Sequence, residues 1–158
     1  MDLNKYLHDK KILIENTLKD IALSFHDCPA SLRDAMEYTL FSNGKRIRPI
    51  LAITTCEVMG KSCDDILPFA CAIEMIHSYS LIHDDLPSID NDDVRRGKPT
   101  CHKVFGEATA LLAGDGLLTE AFRVMSDNRF TERTNPRIIK QLIFEISSAA
   151  GAMGMVGG

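Results

Sequence analysis

Apolar positions recur at helical spacing along most of the chain. In the first stretch they lie three or four residues apart, or at sums of those steps, which predicts a long amphipathic helix. These residues are Leu3, Leu7, Ile14, Leu18, Ile21 and Phe25. A second helix is predicted from a Ser31 cap to Leu40, and a third from Pro49 to a stop at Gly60.

The segment from Pro68 to Asp85 is apolar nearly all round, which predicts a buried central helix. Its polar exceptions are Glu74, His77, His83 and the two aspartates at its end. Charge is costly beside an apolar helix unless it is paired. The two aspartates are therefore candidates for function.

Two more helical patterns follow the charged loop. The first spans residues 101–125 and is interrupted by Gly114 and Gly116, and the second spans residues 135–154. No segment shows the sustained alternation of a strand. The predicted class is therefore all-α, with residues 1–158 forming part of a single domain.

Composition excludes several classes of protein. The chain has 158 residues, is 45% hydrophobic and carries a net charge of −4, so it can bury an ordinary core and lacks the basic stripe of a nucleic-acid-binding protein. Five cysteines without a C-x-x-C pair favour a reducing, cytoplasmic location. The charged N-terminus is not a signal peptide, and no membrane span is expected.

The stretch SLIHDDLPSIDNDDVRRGKPT carries the candidate chemistry. His77 and Asp84 are seven residues apart, so they share a helix face about 10 Å apart along the axis. Pro87 disfavours helix at Leu86, and a bulged exit there can bring Asp90 back beside Asp84. Converging carboxylates select a hard cation such as Mg²⁺, which can bridge to substrate phosphates.

Basic residues stand near these acids in the sequence. Arg95 and Arg96 follow the acidic run, and the segment GKRIRP adds Lys45, Arg46 and Arg48 beside a glycine. Together with the apolar helix, they predict a ligand with a diphosphate head and a hydrocarbon tail.

Simpler interpretations apply to some of these charges. Asp92, Asp93 and Lys98 fit a solvated loop, and His77 alone fits a core histidine. A calcium-binding EF-hand starting at Asp90 is excluded, because it requires glycine at Arg95 and glutamate at Cys101.

The sequence resembles the trans-prenyltransferases, the isoprenyl diphosphate synthases of the farnesyl and geranylgeranyl type. The matching segments are GKRIRP, the long stretch from MIHSYSLIHDD to GDGLLTEAF, and GMVGG. The acidic run matches the family's first aspartate-rich motif in its DDxxxxD form, followed by RRG. The resemblance implies an isoprenoid synthase-type helical bundle and a homodimer.

The resemblance also implies roles for individual residues. It implies that Asp84 and Asp90 bind the Mg²⁺ ions that hold an allylic diphosphate (dimethylallyl or geranyl), that Asp85 supports them, and that Arg95 contacts the same diphosphate. It further implies an isopentenyl diphosphate site whose residues are Lys45, Arg48, His77 and Arg96.

The length of the product is expected to depend on the residues before the first aspartate. Tyr79 lies five residues before Asp84, about 7.5 Å along a helix, and is the expected floor for a growing tail. Ser80 faces nearly the same way as Asp84 but is too small to block a tail. This favours the C15 product, farnesyl diphosphate, with geranylgeranyl diphosphate as the alternative.

One departure from the family pattern leaves other functions open. The lysine-threonine pair and the second aspartate-rich motif of the family do not occur here, so the chain matches the N-terminal half of such an enzyme and is expected to be inactive alone. A non-catalytic, truncated partner of a full-length synthase is the alternative. A third candidate is a metal-dependent phosphohydrolase built on His83 and Asp84.

Overall fold

A computed structural model describes residues 2–158, and helices form nearly all of its regular structure. We number the elements in chain order, and short 3-10 turns follow α1 and end the chain. The helices are α1 Leu3–Ala22, α2 Ala30–Leu40, α3 Ile47–Val58, α4 Cys63–Asp84, α5 Cys101–Phe105, α6 Glu107–Ser126, α7 Asn128–Thr131 and α8 Pro136–Ala150. The strands are β1 Val94–Arg95 and β2 Lys98–Pro99. The all-α prediction is confirmed.

Helix α4 is the centre of the fold. It packs against α6, α3, α1 and α2, and half of its 22 residues are buried, among them Phe69, Met75 and Ile82. By length and composition it could cross a membrane, but 61% of its most apolar window is buried inside the protein. The helix is therefore the core helix that the apolar sequence predicts.

Several helix boundaries differ from those that the sequence predicts. Ser31 lies inside α2, which starts after Pro29 without a side-chain cap. Helix α4 starts five residues before Pro68, because Ser62 accepts a hydrogen bond from the backbone N–H of Asp64 and caps it. The third predicted helix starts at Ile47, two residues before Pro49.

The helical pattern predicted over residues 101–125 also differs from the structure. Helix α6 runs unbroken through Gly114 and Gly116, and the chain turns instead at Gly106, whose φ is 83°. Glycine adopts this conformation without a steric penalty, so it separates α5 from α6.

Candidate functional site

The acidic site forms where α4 ends. Leu86, just before Pro87, donates its backbone N–H to the carbonyl of His83 at 3.1 Å, and the chain then folds back. As a result, the N–H of Asp90 donates to the carbonyl oxygen of Asp84 at 2.9 Å. The predicted return of Asp90 to Asp84 is confirmed at the backbone, and both side chains are exposed.

Asp85 faces the protein rather than solvent. It is 4% exposed, and its Oδ1 accepts from Nε of Arg95 at 2.7 Å and lies 2.7 Å from Nη2 of the same guanidinium. The hydrogen bond to Asp85 is the main cause that raises the pKa of Arg95, and burial opposes it. This pair fixes the strand that carries Arg95 to the end of α4.

The two adjacent arginines point in different directions because a tight turn begins between them. Strands β1 and β2 pair antiparallel around Arg96 and Gly97, whose φ values are 53° and 78°. Positive φ at both central residues is the geometry of a type I′ turn. Arg96 leaves the hairpin toward α2 and donates from Nη1 to the carbonyl of Asn43 at 3.1 Å.

The segment before α3 and this hairpin enclose a cavity of about 750 Å³, which we call the basic cavity. Its walls come from α1, the 43–48 segment, α4 and the hairpin. The lining residues are Leu7, His8, Lys11, Asn43, Gly44, Lys45, Arg46, Ile47, Arg48, Glu74, His77 and Arg96. The structure thus brings Lys45, Arg48, His77 and Arg96 together, as the resemblance implies.

His77 lies in a cationic environment. Nη1 of Arg48 is 3.5 Å from its Nε2. Burial lowers the pKa of His77, and the charges of Arg48, Arg96 and Arg95 lower it further, while Glu74 opposes them. These surroundings therefore favour the neutral form of the imidazole.

A second cavity, of about 610 Å³, lies between α4 and α8, and we call it the shaft cavity. Its wall is mainly apolar, with Asp84 among its few polar residues. The lining residues are Arg48, Ile73, Ile76, His77, Ser80, Leu81, Asp84, Ile146, Ala149, Ala150 and Met155. Arg48 and His77 line both cavities, so the two sites share a wall.

Comparison with known proteins identifies the family. Residues 29–152 match the family model "Polyprenyl synthetase". The chain belongs to the polyprenyl synthetase family. This match does not support the phosphohydrolase hypothesis.

Named relatives agree with this family. Farnesyl diphosphate synthase of Bacillus subtilis (strain 168) is 51% identical over 156 residues, which are 99% of this chain and 52% of that protein. The large subunit 1 of a heterodimeric geranylgeranyl pyrophosphate synthase of Arabidopsis thaliana is 45% identical over 157 residues, 99% of this chain and 42% of that protein. The chain therefore spans about half the length of these curated relatives.

Solved structures show the same fold. A geranyltransferase from Legionella pneumophila superposes with a TM-score of 0.93 at 38% identity, covering 98% of this chain and 54% of that one. The helical bundle is thus the fold of the polyprenyl synthetase family.

The residues considered for product length occupy different faces of α4. Ser80 lines the shaft cavity with Asp84, whereas Tyr79 is 6% exposed and packs edge-on against His83 at 5.5 Å between ring centroids. A step of five residues turns about 140° around a helix and a step of four only about 40°. Tyr79 therefore does not share the face of Asp84, although its axial distance suggested a floor for the shaft. The effect of Tyr79 on product length stays a prediction.

Part of the basic cavity is not predicted by the sequence patterns of this polyprenyl synthetase family member. Lys11 and His8 of α1 line it, and Arg46 forms a buried ion pair with Glu74 at 2.8 Å. The sequence does indicate that Glu74 has a partner, because a glutamate inside an apolar helix requires a buried group of opposite charge.

The acidic site suits Mg²⁺ by its donor chemistry. Asp84 and Asp90 offer exposed carboxylate oxygens, which are the ligands that hard cations prefer. No group of three histidine, cysteine, aspartate or glutamate residues forms a metal site within residues 2–158. Two carboxylates suffice where water and phosphate oxygens complete the coordination, as is usual for Mg²⁺.

Proposed function

We propose that the chain provides the substrate-binding half of a Mg²⁺-dependent prenyltransferase that condenses isopentenyl diphosphate with an allylic diphosphate. Farnesyl diphosphate is the favoured product, since relatives at 51% identity are farnesyl diphosphate synthases. Geranylgeranyl diphosphate is the second candidate, because relatives at 43–45% identity are named for that product.

The shared wall of the two cavities is the observation that carries this proposal. The basic cavity suits a diphosphate without a metal, and the shaft cavity suits a hydrocarbon tail whose diphosphate lies at Asp84. His77 and Arg48 line both. Two substrates bound in this way would lie side by side, which a condensation requires.

The reaction then follows from charge and exclusion of water. Mg²⁺, when bound at Asp84 and Asp90, supplies positive charge to the departing diphosphate. Arg95 adds charge at the same end, and the apolar wall around Ile76 keeps water from the allylic cation. The C–O bond of the allylic substrate breaks, the double bond of isopentenyl diphosphate forms the new C–C bond, and a proton leaves.

Self-association is also part of the proposal. Leu111 and Leu112 on α6 are 46% and 56% exposed, and Phe144 on α8 is 61% exposed. Apolar side chains grouped on helices favour contact with a second chain. Light scattering is expected to show a dimer or larger species, and a compact monomer would contradict this part.

The catalytic proposal is tested with two proteins, the 158-residue chain and a chimera that joins it to the uncovered C-terminal part of the Bacillus subtilis relative. We expect condensation products from the chimera with Mg²⁺ and none from the chain alone. Asp84→Asn should abolish turnover of the chimera. Asp93→Asn is the matched control, because Asp93 pairs with Lys103 at 2.8 Å on the surface. A folded chimera without turnover, or equal loss in both variants, would refute the proposal.

A further inference from the structure

Arg46 differs from its basic neighbours in being buried. It is 3% exposed, whereas Lys45 and Arg48 on either side are exposed. Its Nη1 donates to Oε1 of Glu74 at 2.8 Å, and Glu74 is also 3% exposed. A buried ion pair at the wall of a binding cavity requires an explanation, since well-packed apolar residues are often as stable.

The guanidinium joins several elements at one point. Nη2 donates to the carbonyl of Leu40 at 2.8 Å and to that of Ser42 at 3.3 Å, which satisfies acceptors at the C-terminal end of α2. Glu74 belongs to α4, and Glu15 of α1 lies 3.6 Å from Nε. Arg46 therefore ties α2, α4 and α1 to the segment that precedes α3.

The backbone at Arg46 shows why this segment needs to be held. Its φ is 54° and its ψ is 34°, a left-handed conformation that residues other than glycine, asparagine and aspartate seldom adopt. Such a conformation persists where surrounding contacts determine it. Here the contacts are those of the guanidinium with Leu40, Ser42 and Glu74.

We infer that Arg46, paired with Glu74, is a positioning residue that holds Lys45 and Arg48 in place for the diphosphate of the basic cavity. The inference rests on the proposed function of that cavity. Both Nη atoms of Arg46 already donate to protein acceptors, so the exposed neighbours bind the ligand. Lysine cannot replace Arg46, because a single ammonium lacks the planar fork that reaches Glu74 and Leu40 together.

Calorimetry with inorganic pyrophosphate in EDTA tests this inference, since without metal the acidic site contributes no binding. Arg46→Lys keeps the charge of the cavity and is expected to weaken pyrophosphate binding about tenfold, as small misplacements of binding groups do. Arg123→Lys is the matched control. Arg123 joins Ser24, Glu120 and Asp127 away from the cavity, so this variant should melt earlier but bind like the parent.

The variant Glu74→Gln distinguishes a positioning role of Glu74 from a purely electrostatic effect of its charge on the bound anion. It also keeps the inference testable if Arg46→Lys does not fold. Removing a negative charge beside a bound anion would tighten binding if charge alone mattered. If Glu74 positions Arg46, binding weakens, and this is the result we expect.

The outcomes also separate this inference from the proposed function. If Lys45→Ala weakens pyrophosphate binding while Arg46→Lys and Glu74→Gln leave it unchanged or tighter, the positioning role is wrong and the cavity assignment stands. If the parent chain does not bind pyrophosphate, both are overturned.

Discussion

The backbone N–H of Asp90 and the carbonyl oxygen of Asp84 form a 2.9 Å hydrogen bond that brings together two acids six residues apart. This contact fixes the backbone positions of the two residues, but two carboxylates provide too few ligands for a strongly hydrated cation. We therefore expect Mg²⁺ to bind tightly only when a bisphosphonate, a stable mimic of diphosphate, is present. Calorimetric titration with and without the bisphosphonate measures the difference.

Asp90→Asn should remove most of this ligand-dependent affinity, whereas Asp93→Asn should not. Equal Mg²⁺ affinity with and without the bisphosphonate would show that the cation does not bridge to phosphate.

The acidic site could be predicted because its residues are close in sequence. Pro87 and the spacing of Asp84 and Asp90 contain the information needed for the turn. The hairpin at Arg96 was missed because a two-residue strand is too short for alternation to be visible. Its Arg96-Gly97 turn was the available signal.

Long-range pairing was less accessible to sequence reasoning. Arg46 and Glu74 are 28 residues apart, and no local pattern connects them. The unbroken course of α6 was missed because helix propensity alone disfavours Gly114, whereas packing against His83 requires a residue without a side chain there.

Gly114 and Gly116 offer a matched test of packing between α4 and α6. A Cβ at Gly114 would overlap the ring of His83, whose Nε2 contacts the carbonyl of Leu111 at 3.1 Å and which packs against Tyr79. We expect Gly114→Ala to lower the free energy of unfolding by about 1–3 kcal/mol through overpacking. Urea denaturation gives this value.

Gly116→Ala is the control in the same helix. Its Cβ would lie 3.1 Å from Sδ of Met36, a flexible side chain that can move aside. Because alanine also favours the helix by up to about 1 kcal/mol, this variant should be neutral or more stable. Similar losses for both variants would contradict the contact between Gly114 and His83.

His77 should make stability depend on pH. Burial and the charges of Arg48, Arg96 and Arg95 lower its pKa in the folded chain, so the unfolded chain gains a proton first as the pH falls below about 6.5. The contribution of His77 to stability is present above that pH and is lost as the pH falls through the lowered pKa.

Urea midpoints should therefore fall more steeply with decreasing pH for the parent than for His77→Asn. His26→Asn, a change at an exposed histidine, should follow the parent, and identical slopes for parent and His77→Asn would contradict the prediction.

The five cysteines should differ in reactivity. Burial raises the pKa of Cys101 to about 11 and also raises that of Cys71, and both thiols are buried. Alkylation requires the thiolate, so both should stay unmodified in the native chain. Mass spectrometry after iodoacetamide treatment should find label on the partly exposed residues, Cys28, Cys56 and Cys63, and on all five only after denaturation. Labelling of Cys101 as fast as that of Cys28 would contradict its burial.

We predict that product length depends on the side chains near Asp84 on α4. Ser80 lines the shaft cavity, so Ser80→Phe in the chimera should fill part of it and shift products toward geranyl diphosphate. Tyr79 is buried against His83 on a different face of α4, and Tyr79→Ala should leave a space there into which the tail can extend, which would shift products to C20 or longer. Tyr79→Phe keeps the ring and is the matched control, which should give the parent's products by chromatography. If Tyr79→Ala yields only farnesyl diphosphate at the parent's rate, Tyr79 does not limit the tail, and the preference for the C15 product loses its structural basis.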